Sequence, residues 1–332
     1  CSSLREQPTI AIGPCRTHRR MHIMKKKLGL LAMMTVLVGI LTWYIFPSVF
    51  FEPLVNLNRK LSRLTEKTTQ ISGHTVHYLE GGQGETVVLL HGIFAEKDHW
   101  VEFARDLTPH YRVVIPDLPA FGESSRNESE VYDYANQVSR LAELLQKLGI
   151  SKAHLAGSSM GGTIAALFAV ENPQAVTSLA FIGAPHGIRS TKQSDMDRMI
   201  AEGRAALVAS SPAEFDAMMQ LLFAKQPFLP YPILHEAKST ALKNAVSNRR
   251  IWNQQLKDRY LLDGIVGKVS APTGILWGAK DRIFDFSGMT TLREKLPTAK
   301  AELATEAGHL PMMEAPGQTA AWYKSFLASQ KK

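Results

Sequence analysis

An α/β fold, with a mostly parallel sheet flanked by helices, is what this sequence predicts, and three observations carry the prediction. Beyond Thr68, short apolar runs punctuated by Gly, Pro and Asp alternate with longer amphipathic stretches, as strands joined through crossover helices do. Gly157-Ser158-Ser159-Met160-Gly161 lies between one such run and an apolar helical stretch, the strand, sharp turn and helix order of a doubly covered sheet. Between residues 187 and 264 the strand signals stop and the chain reads as polar and helical, so an inserted helical lid is expected there.

Taken in order, residues 1–27 form a basic segment. Arg5, Arg16, Arg19, Arg20, Lys25, Lys26 and Lys27 against Glu6 account for six of the eight formal positive charges. The rest of the chain is close to neutral and has no basic stripe interleaved with aromatics, so nucleic acid is not an expected partner. Met21 and Met24 are the expected natural starts, with residues 1–20 read as upstream sequence. Cys1 and Cys15, the two cysteines, both precede the apolar segment, which leaves the folded part no disulfide or cysteine metal framework.

Residues 28–51 carry no charge and are long enough to cross a bilayer core of about 30 Å, so they are expected to be a transmembrane anchor. A cleaved signal peptide is the competing reading. Thr42-Trp43-Tyr44-Ile45-Phe46 stands where small residues would precede cleavage, which favours the anchor, and Trp43 and Tyr44 suit its interfacial end. Lys25 to Lys27 ahead of the span put the rest of the chain on the non-cytoplasmic side, periplasmic if the source is bacterial. Residues 52–68 read as an amphipathic linker whose Leu54, Leu57, Leu61 and Leu64 share a helical face, lying on lipid or packed on the domain.

The domain itself is expected over 69–332, with the lid at about 187–264. Strands are predicted at 76–79 and 86–90, on either side of Gly81-Gly82-Gln83-Gly84, and at 112–115, 153–155, 178–182, 274–277 and 301–303. Helices are predicted at 132–148, 160–171 and 319–328.

The chemistry gathers at the ends of these strands. A serine on a strained strand-to-helix turn needs small neighbours, and Gly157 and Gly161 supply them around Ser159; Ser158 lacks the second glycine at the right offset. Backbone N–H groups of Ile93, in His91-Gly92-Ile93-Phe94, and of Met160, the residue after the serine, are the expected oxyanion donors. His91 and Asp117 read as loop braces. Acid and base should follow the nucleophile in chain order, and Asp281 and His309 do, each just beyond a predicted strand; Ser159, Asp281 and His309 form the expected catalytic triad. Asp263 and Asp285 remain rival acids, whereas His154, His186 and His235 precede the acid and read as surface or core histidines.

These residues resemble the lid-bearing α/β-hydrolase fold family, and within it membrane-bound monoacylglycerol lipases and cold-adapted bacterial lipases. The resemblance runs from about residue 76 to the C-terminus and rests on His91-Gly92-Ile93-Phe94-Ala95-Glu96-Lys97-Asp98-His99-Trp100, Gly157 to Gly162, Trp277-Gly278-Ala279-Lys280-Asp281 and Gly308-His309-Leu310-Pro311-Met312-Met313-Glu314. Ile93 departs from the Phe usual in those relatives, which bears on the acyl pocket and leaves the backbone donor untouched. The resemblance implies hydrolysis of lipid or small carboxylic esters at a membrane, without a cofactor or metal. On the same fold, carbon–carbon bond hydrolases and perhydrolases keep a serine and stay as alternatives, as does a non-catalytic binding protein. Met196, Met199, Phe215, Met218, Met219, Phe223 and Phe228 are the expected apolar contacts of the lid.

Overall fold

The computed structural model describes residues 16–330; Cys1, Cys15 and the first fifteen residues of the basic segment lie outside the described residues. Two helices come first. Helix α1 (Arg16–Ile45) includes the stretch Met24–Ile45, apolar enough to cross a membrane, and none of that stretch's side chains is buried. At 1.5 Å per residue those 22 residues span about 33 Å.

The expected span of 28–51 is divided. Helix α1 ends at Ile45, and Pro47, lacking an N–H, precedes a second helix, α2 (Ser48–Leu61). Nor is 52–68 a linker, because α2 docks on the domain and the first strand starts within that stretch. Arg59 is buried and its guanidinium is held by Asp98 at 2.8 and 2.6 Å and by Glu66 at 2.6 Å. Leu57 and Leu61 remain exposed, whereas Leu64 belongs to the strand and is buried. Helical spacing thus joined residues that a break separates: Arg63, at φ 57°, turns the chain out of the helix.

Eight strands follow: β1 (Leu64–Ile71), β2 (His74–Gly81), β3 (Thr86–Leu90), β4 (Arg112–Pro116), β5 (Ala153–Ser159), β6 (Val176–Pro185), β7 (Thr273–Gly278) and β8 (Lys300–Ala304). They form one sheet in the order β1-β2-β4-β3-β5-β6-β7-β8, antiparallel at β1–β2 and β2–β4 and parallel from β4 onward. The strands either side of the Gly81–Gly84 turn are therefore not neighbours, since β4 inserts between them.

Both faces of the sheet are covered, and the two-residue strand period divides the core accordingly. From β3, Val88 and Leu90 join one apolar cluster while Val87 and Leu89 join the other. The first cluster packs under α4 (Tyr134–Lys147) and α5 (Met160–Glu171). Opposite, α3 (Val101–Arg105) and the C-terminal α13 (Pro316–Ala328) contribute Phe103, Tyr323 and Phe326. Helix α4 shows why such stretches become helices: Asp133 caps its start by accepting from the Asn136 N–H at 2.9 Å, and Val138, Leu141 and Leu145 recur on the face that is buried.

Between β6 and β7 the chain makes a helical insertion of α6 (Asp195–Ala201), α7 (Pro212–Leu222), α8 (Tyr231–Lys243), α9 (Ala245–Lys257) and α10 (Leu261–Ile265). Helix α8 meets the N-terminal pair, the Tyr231 ring lying 4.9 Å from that of Tyr44 at the end of α1. Between β7 and β8 lies α11 (Gly288–Lys295), and α12 (Pro311–Glu314) precedes α13.

Candidate active site

Strand β5 ends on Ser159, whose backbone at φ 53° and ψ −122° is a conformation that a side chain adopts only under strain. Its surroundings explain why it persists. A methyl group on Gly157 would press against Gly161, and one on Gly161 would come closer than 3.0 Å to the carbonyl oxygens of Leu90 and His91. Strand and helix approach through these two glycines, which leaves the serine raised at the turn. Its neighbour Ser158 points inward beneath Gly183 and, among the described residues, its hydroxyl has no hydrogen-bond partner.

Directly beside Ser159 runs the turn after β3. His91 is buried, its Nδ1 lies 2.7 Å from the Gly92 carbonyl oxygen, and its Nε2 accepts from the Leu118 N–H at 3.0 Å. That pair of contacts requires the neutral ring, and burial lowers the His91 pKa to about 4. Asp117 accepts from the Lys97 N–H at 2.6 Å, the Lys97 ammonium at 2.8 Å and the Glu123 N–H at 2.9 Å. Both residues brace the loops around the site. Ile93 is thereby held against the same small cavity as Ser159 and Met160, and Met160, first residue of α5, has an N–H with no acceptor inside its helix.

The loops after β7 and β8 touch, because Gly278 leaves no room for a side chain against Gly308. Asp281 and His309 meet there, His309 Nδ1 lying 2.8 Å from Asp281 Oδ2. The other carboxylate oxygen accepts from the Ile283 and Phe284 N–H groups at 2.8 and 3.0 Å, so Asp281 is held in place through both oxygens. Asp285 instead caps the Ser287 N–H at 2.9 Å, and Asp263 faces Arg189 and Lys295 at 4.0 and 3.8 Å. Neither contacts His309. His154 lies on β5, its Nδ1 2.8 Å from the hydroxyl of Ser178 on β6, and His235 packs on Tyr231 in the insertion.

His186 is the residue that sequence reasoning passed over. It lines the Ser159 cavity, lies 2.6 Å from the Tyr134 hydroxyl and stacks on that ring. Burial, then Arg259 and His309, lowers its pKa to about 4, and burial raises that of Tyr134. The available signal was position: His186 directly follows β6, at the same sheet edge as Ser159.

The cavity at Ser159 is small, about 20 Å³, and apolar, closed by Met196, Leu207, Trp252 and Leu256 of the insertion. Among the seven apolar side chains expected as lid contacts, Met196 alone lines it. Phe215 and Phe223 are spent on packing within the fold and Phe228 is 91% exposed. A further tie joins insertion and histidine loop: the Glu314 carboxylate accepts from the Gly308 N–H at 2.8 Å and from the Ala224 and Lys225 N–H groups at 2.9 and 3.1 Å. The His309 N–H also donates to the Leu222 carbonyl at 3.0 Å.

A family model described as alpha/beta hydrolase fold matches residues 85–226. The chain is 31% identical over 280 residues to lipase 1 of Psychrobacter immobilis, covering 83% of this chain and 88% of that one. It is 29% identical over 259 residues to monoacylglycerol lipase ABHD6 of Homo sapiens, covering 75% and 77%. Among solved structures, a membrane phospholipase A described as a bacterial virulence factor superposes with a TM-score of 0.84 at 34% identity, over 93% of this chain and 99% of that one.

Proposed function

Since the chain belongs to the α/β-hydrolase family and is a carboxylic ester hydrolase acting on lipid esters, we propose that Ser159, His309 and Asp281 are its nucleophile, base and orienting acid. The observation that carries the assignment is the buried His309–Asp281 contact of 2.8 Å, in the chain order that a serine at positive φ on the β5–α5 turn requires. Asp281 holds Nδ1 of the imidazole in its protonated tautomer, leaving Nε2 to act. Ser159 Oγ bonds to the ester carbonyl carbon as His309 takes its proton. The carbonyl oxygen becomes an oxyanion between the N–H groups of Ile93 and Met160, each worth about 3 to 4 kcal/mol of barrier. Collapse breaks the bond to the leaving alcohol, which receives the proton from His309. Water, deprotonated by the same histidine, then attacks the acyl-enzyme and releases the carboxylic acid.

The proposed substrates are monoacylglycerols and other lipid esters of short to medium chain length, met at a bilayer in which α1 is the single anchor. Support comes from the relatives named above, from the apolar Met24–Ile45 stretch and from the contact of Tyr44 with Tyr231, a residue of the insertion proposed as the lid. A single-chain amphiphile withdraws far less apolar surface from lipid than a three-chained one, at about 25 cal/mol per Å². The domain is proposed to face the non-cytoplasmic side, because Lys25 to Lys27 precede the span.

One panel tests the reading. Purified full-length protein in matched micelles should turn over monooleoylglycerol faster than trioleoylglycerol, and Ser159→Ala should lower that turnover by about 10⁴-fold or more and abolish fluorophosphonate labelling. Faster trioleoylglycerol turnover would overturn the substrate assignment; residual activity of several per cent in Ser159→Ala would overturn the nucleophile.

A further inference from the structure

Two rings of the Ser159 cavity, His186 and Phe284, lead toward His309. The His186 imidazole lies 5.7 Å from the Phe284 ring, and Phe284 meets the His309 ring edge-on at 5.4 Å. In the proposed reaction His309 returns its proton to the departing alcohol, so this row of rings runs along the side on which the alcohol part of an ester lies. The cavity they line with Ser159, about 20 Å³, has room for about one water.

His186 is occupied at one nitrogen only. Its ring stacks on Tyr134, and its Nδ1 lies 2.6 Å from the Tyr134 hydroxyl. Burial keeps that hydroxyl protonated and it donates to Nδ1, which places the imidazole proton on Nε2. Nε2–H is then a donor of fixed direction with no partner among the described residues. Gln255 supplies the complement. It is 3% exposed and lines the same cavity, and its NH₂ group meets the Tyr132 carbonyl oxygen at 3.3 Å and the Met160 sulfur at 2.9 Å. Both neighbours are acceptors, so they decide which end of the amide carries the hydrogens, and Oε1 is left an acceptor with no partner among the described residues. Although α9 carries Gln255, these contacts tie its side chain to the start of α5, beside Ser159. One donor and one acceptor within an apolar lining, around a space the size of a water, match a group that accepts one hydrogen bond and donates another. A hydroxyl does both.

We propose that His186 and Gln255 are a specificity pair for a hydroxyl carried one carbon from the ester on the alcohol side, the arrangement of a glycerol monoester, with Tyr134 as the positioning residue that sets the His186 tautomer. The proposal rests on the reading of Ser159 as nucleophile and says which atoms of the departing alcohol are recognised. The short reach follows from the cavity, since Ser159 itself lines it and a group seated there is only a few bonds from the reacting carbonyl.

The experiment uses the full chain in nonionic micelles and four oleate esters of three-carbon alcohols: propyl, 2-hydroxypropyl, 3-hydroxypropyl and 1-glyceryl. The 2-hydroxypropyl and glyceryl esters should exceed the propyl ester in kcat/KM by about tenfold, and the 3-hydroxypropyl ester should not. His186→Leu should bring that ratio to about twofold or less, and His186→Gln, which keeps an N–H donor, should restore part of it. Gln255→Met tests the pair from its other member and should also lower the ratio, so the proposal stays open to refutation if His186→Leu fails to fold. Tyr134→Phe should lower it as well, because the freed imidazole exchanges tautomers; an unchanged ratio there overturns the positioning role. A merely structural part for His186 would depress all four esters together, and that result, a wild-type ratio near one, or a preference carried by the 3-hydroxypropyl ester would each overturn the proposal. Binding separates it from the nucleophile reading. Ser159→Ala protein should bind 1-O-hexadecylglycerol more tightly than hexadecyl propyl ether, and adding His186→Leu should erase that preference. No hydrolysis of any ester by the wild type with the binding preference intact sinks the nucleophile reading alone, and hydrolysis without a preference sinks the hydroxyl site alone.

Discussion

Gly161 shows how much of this site is decided at single atoms. A methyl group there meets two backbone oxygens, those of Leu90 and His91, and neither can rotate away as a side chain end would. Gly161→Ala is therefore expected to destabilise the chain by about 3 kcal/mol or more, or to prevent folding. Gly264→Ala is the control: nothing lies within 4 Å of its new carbon and the residue is helical, so thermal unfolding should shift up slightly or not at all. Equal melting temperatures for the two variants would refute the argument. At this scale the sequence was informative, because Gly157, Ser159 and Gly161 are a spacing that only a tight strand-to-helix turn requires. It was less so for His186, an unremarkable histidine until Tyr134 arrives from 52 residues away to hold it.

Among elements, the link between the insertion and the histidine loop has the clearest consequence. Glu314 gathers three N–H groups, one beside His309 and two at the end of α7, so one carboxylate sets both. Glu314→Gln presents an amide NH₂ to part of that set, and a displaced His309 is expected to lower kcat/KM by about ten- to a hundredfold. Hydrogen exchange at Ala224 and Lys225 should quicken in the same variant; faster exchange with undiminished turnover would leave Glu314 a purely structural tie. The sequence could not announce this tie, since the partners of Glu314 are backbone groups with no side-chain identity to read. Strand β1 escaped for a related reason. Leu64 continues the leucine spacing of α2, and the break between them is made by Arg63 at positive φ, a conformation that nothing in the residue type signals. The parallel strands were legible because burial on both faces demands continuous apolar runs. Their order was not, because β4 pairs across β2 and β3 through contacts far apart in the chain.

Over the whole molecule, buried titratable groups set a pH window. Burial lowers His91, His99 and His186 from 6.5 to about 4, so the unfolded chain takes up their protons first and stability present above pH 6.5 is lost as pH falls toward 4. Glu96 goes the other way: burial, with Asp98 and Asp117 nearby, raises it from 4.5 to about 8, so its contribution is complete below 4.5 and is lost as pH rises through 8. Between pH 4.5 and 6.5 the three histidines oppose Glu96 and Asp117, whose carboxyl burial also raises, so the melting temperature should peak near pH 6.5 and its alkaline slope should shrink in Glu96→Gln. A melting temperature still rising from pH 7 to 8 would contradict this. The closed cavity of about 20 Å³ at Ser159 also has a molecule-wide meaning. It admits about one water and no acyl chain, so substrate entry requires the cover to move, and the apparent affinity then scales with the fraction of molecules in which it has moved. Turnover of a dissolved short-chain ester then reports how seldom the cover parts as much as how well the pocket fits. Trp252 is the largest side chain lining that cavity, and Trp252→Ala should lower KM for p-nitrophenyl butyrate while leaving kcat within about twofold, the mark of a gate whose standing population has been raised.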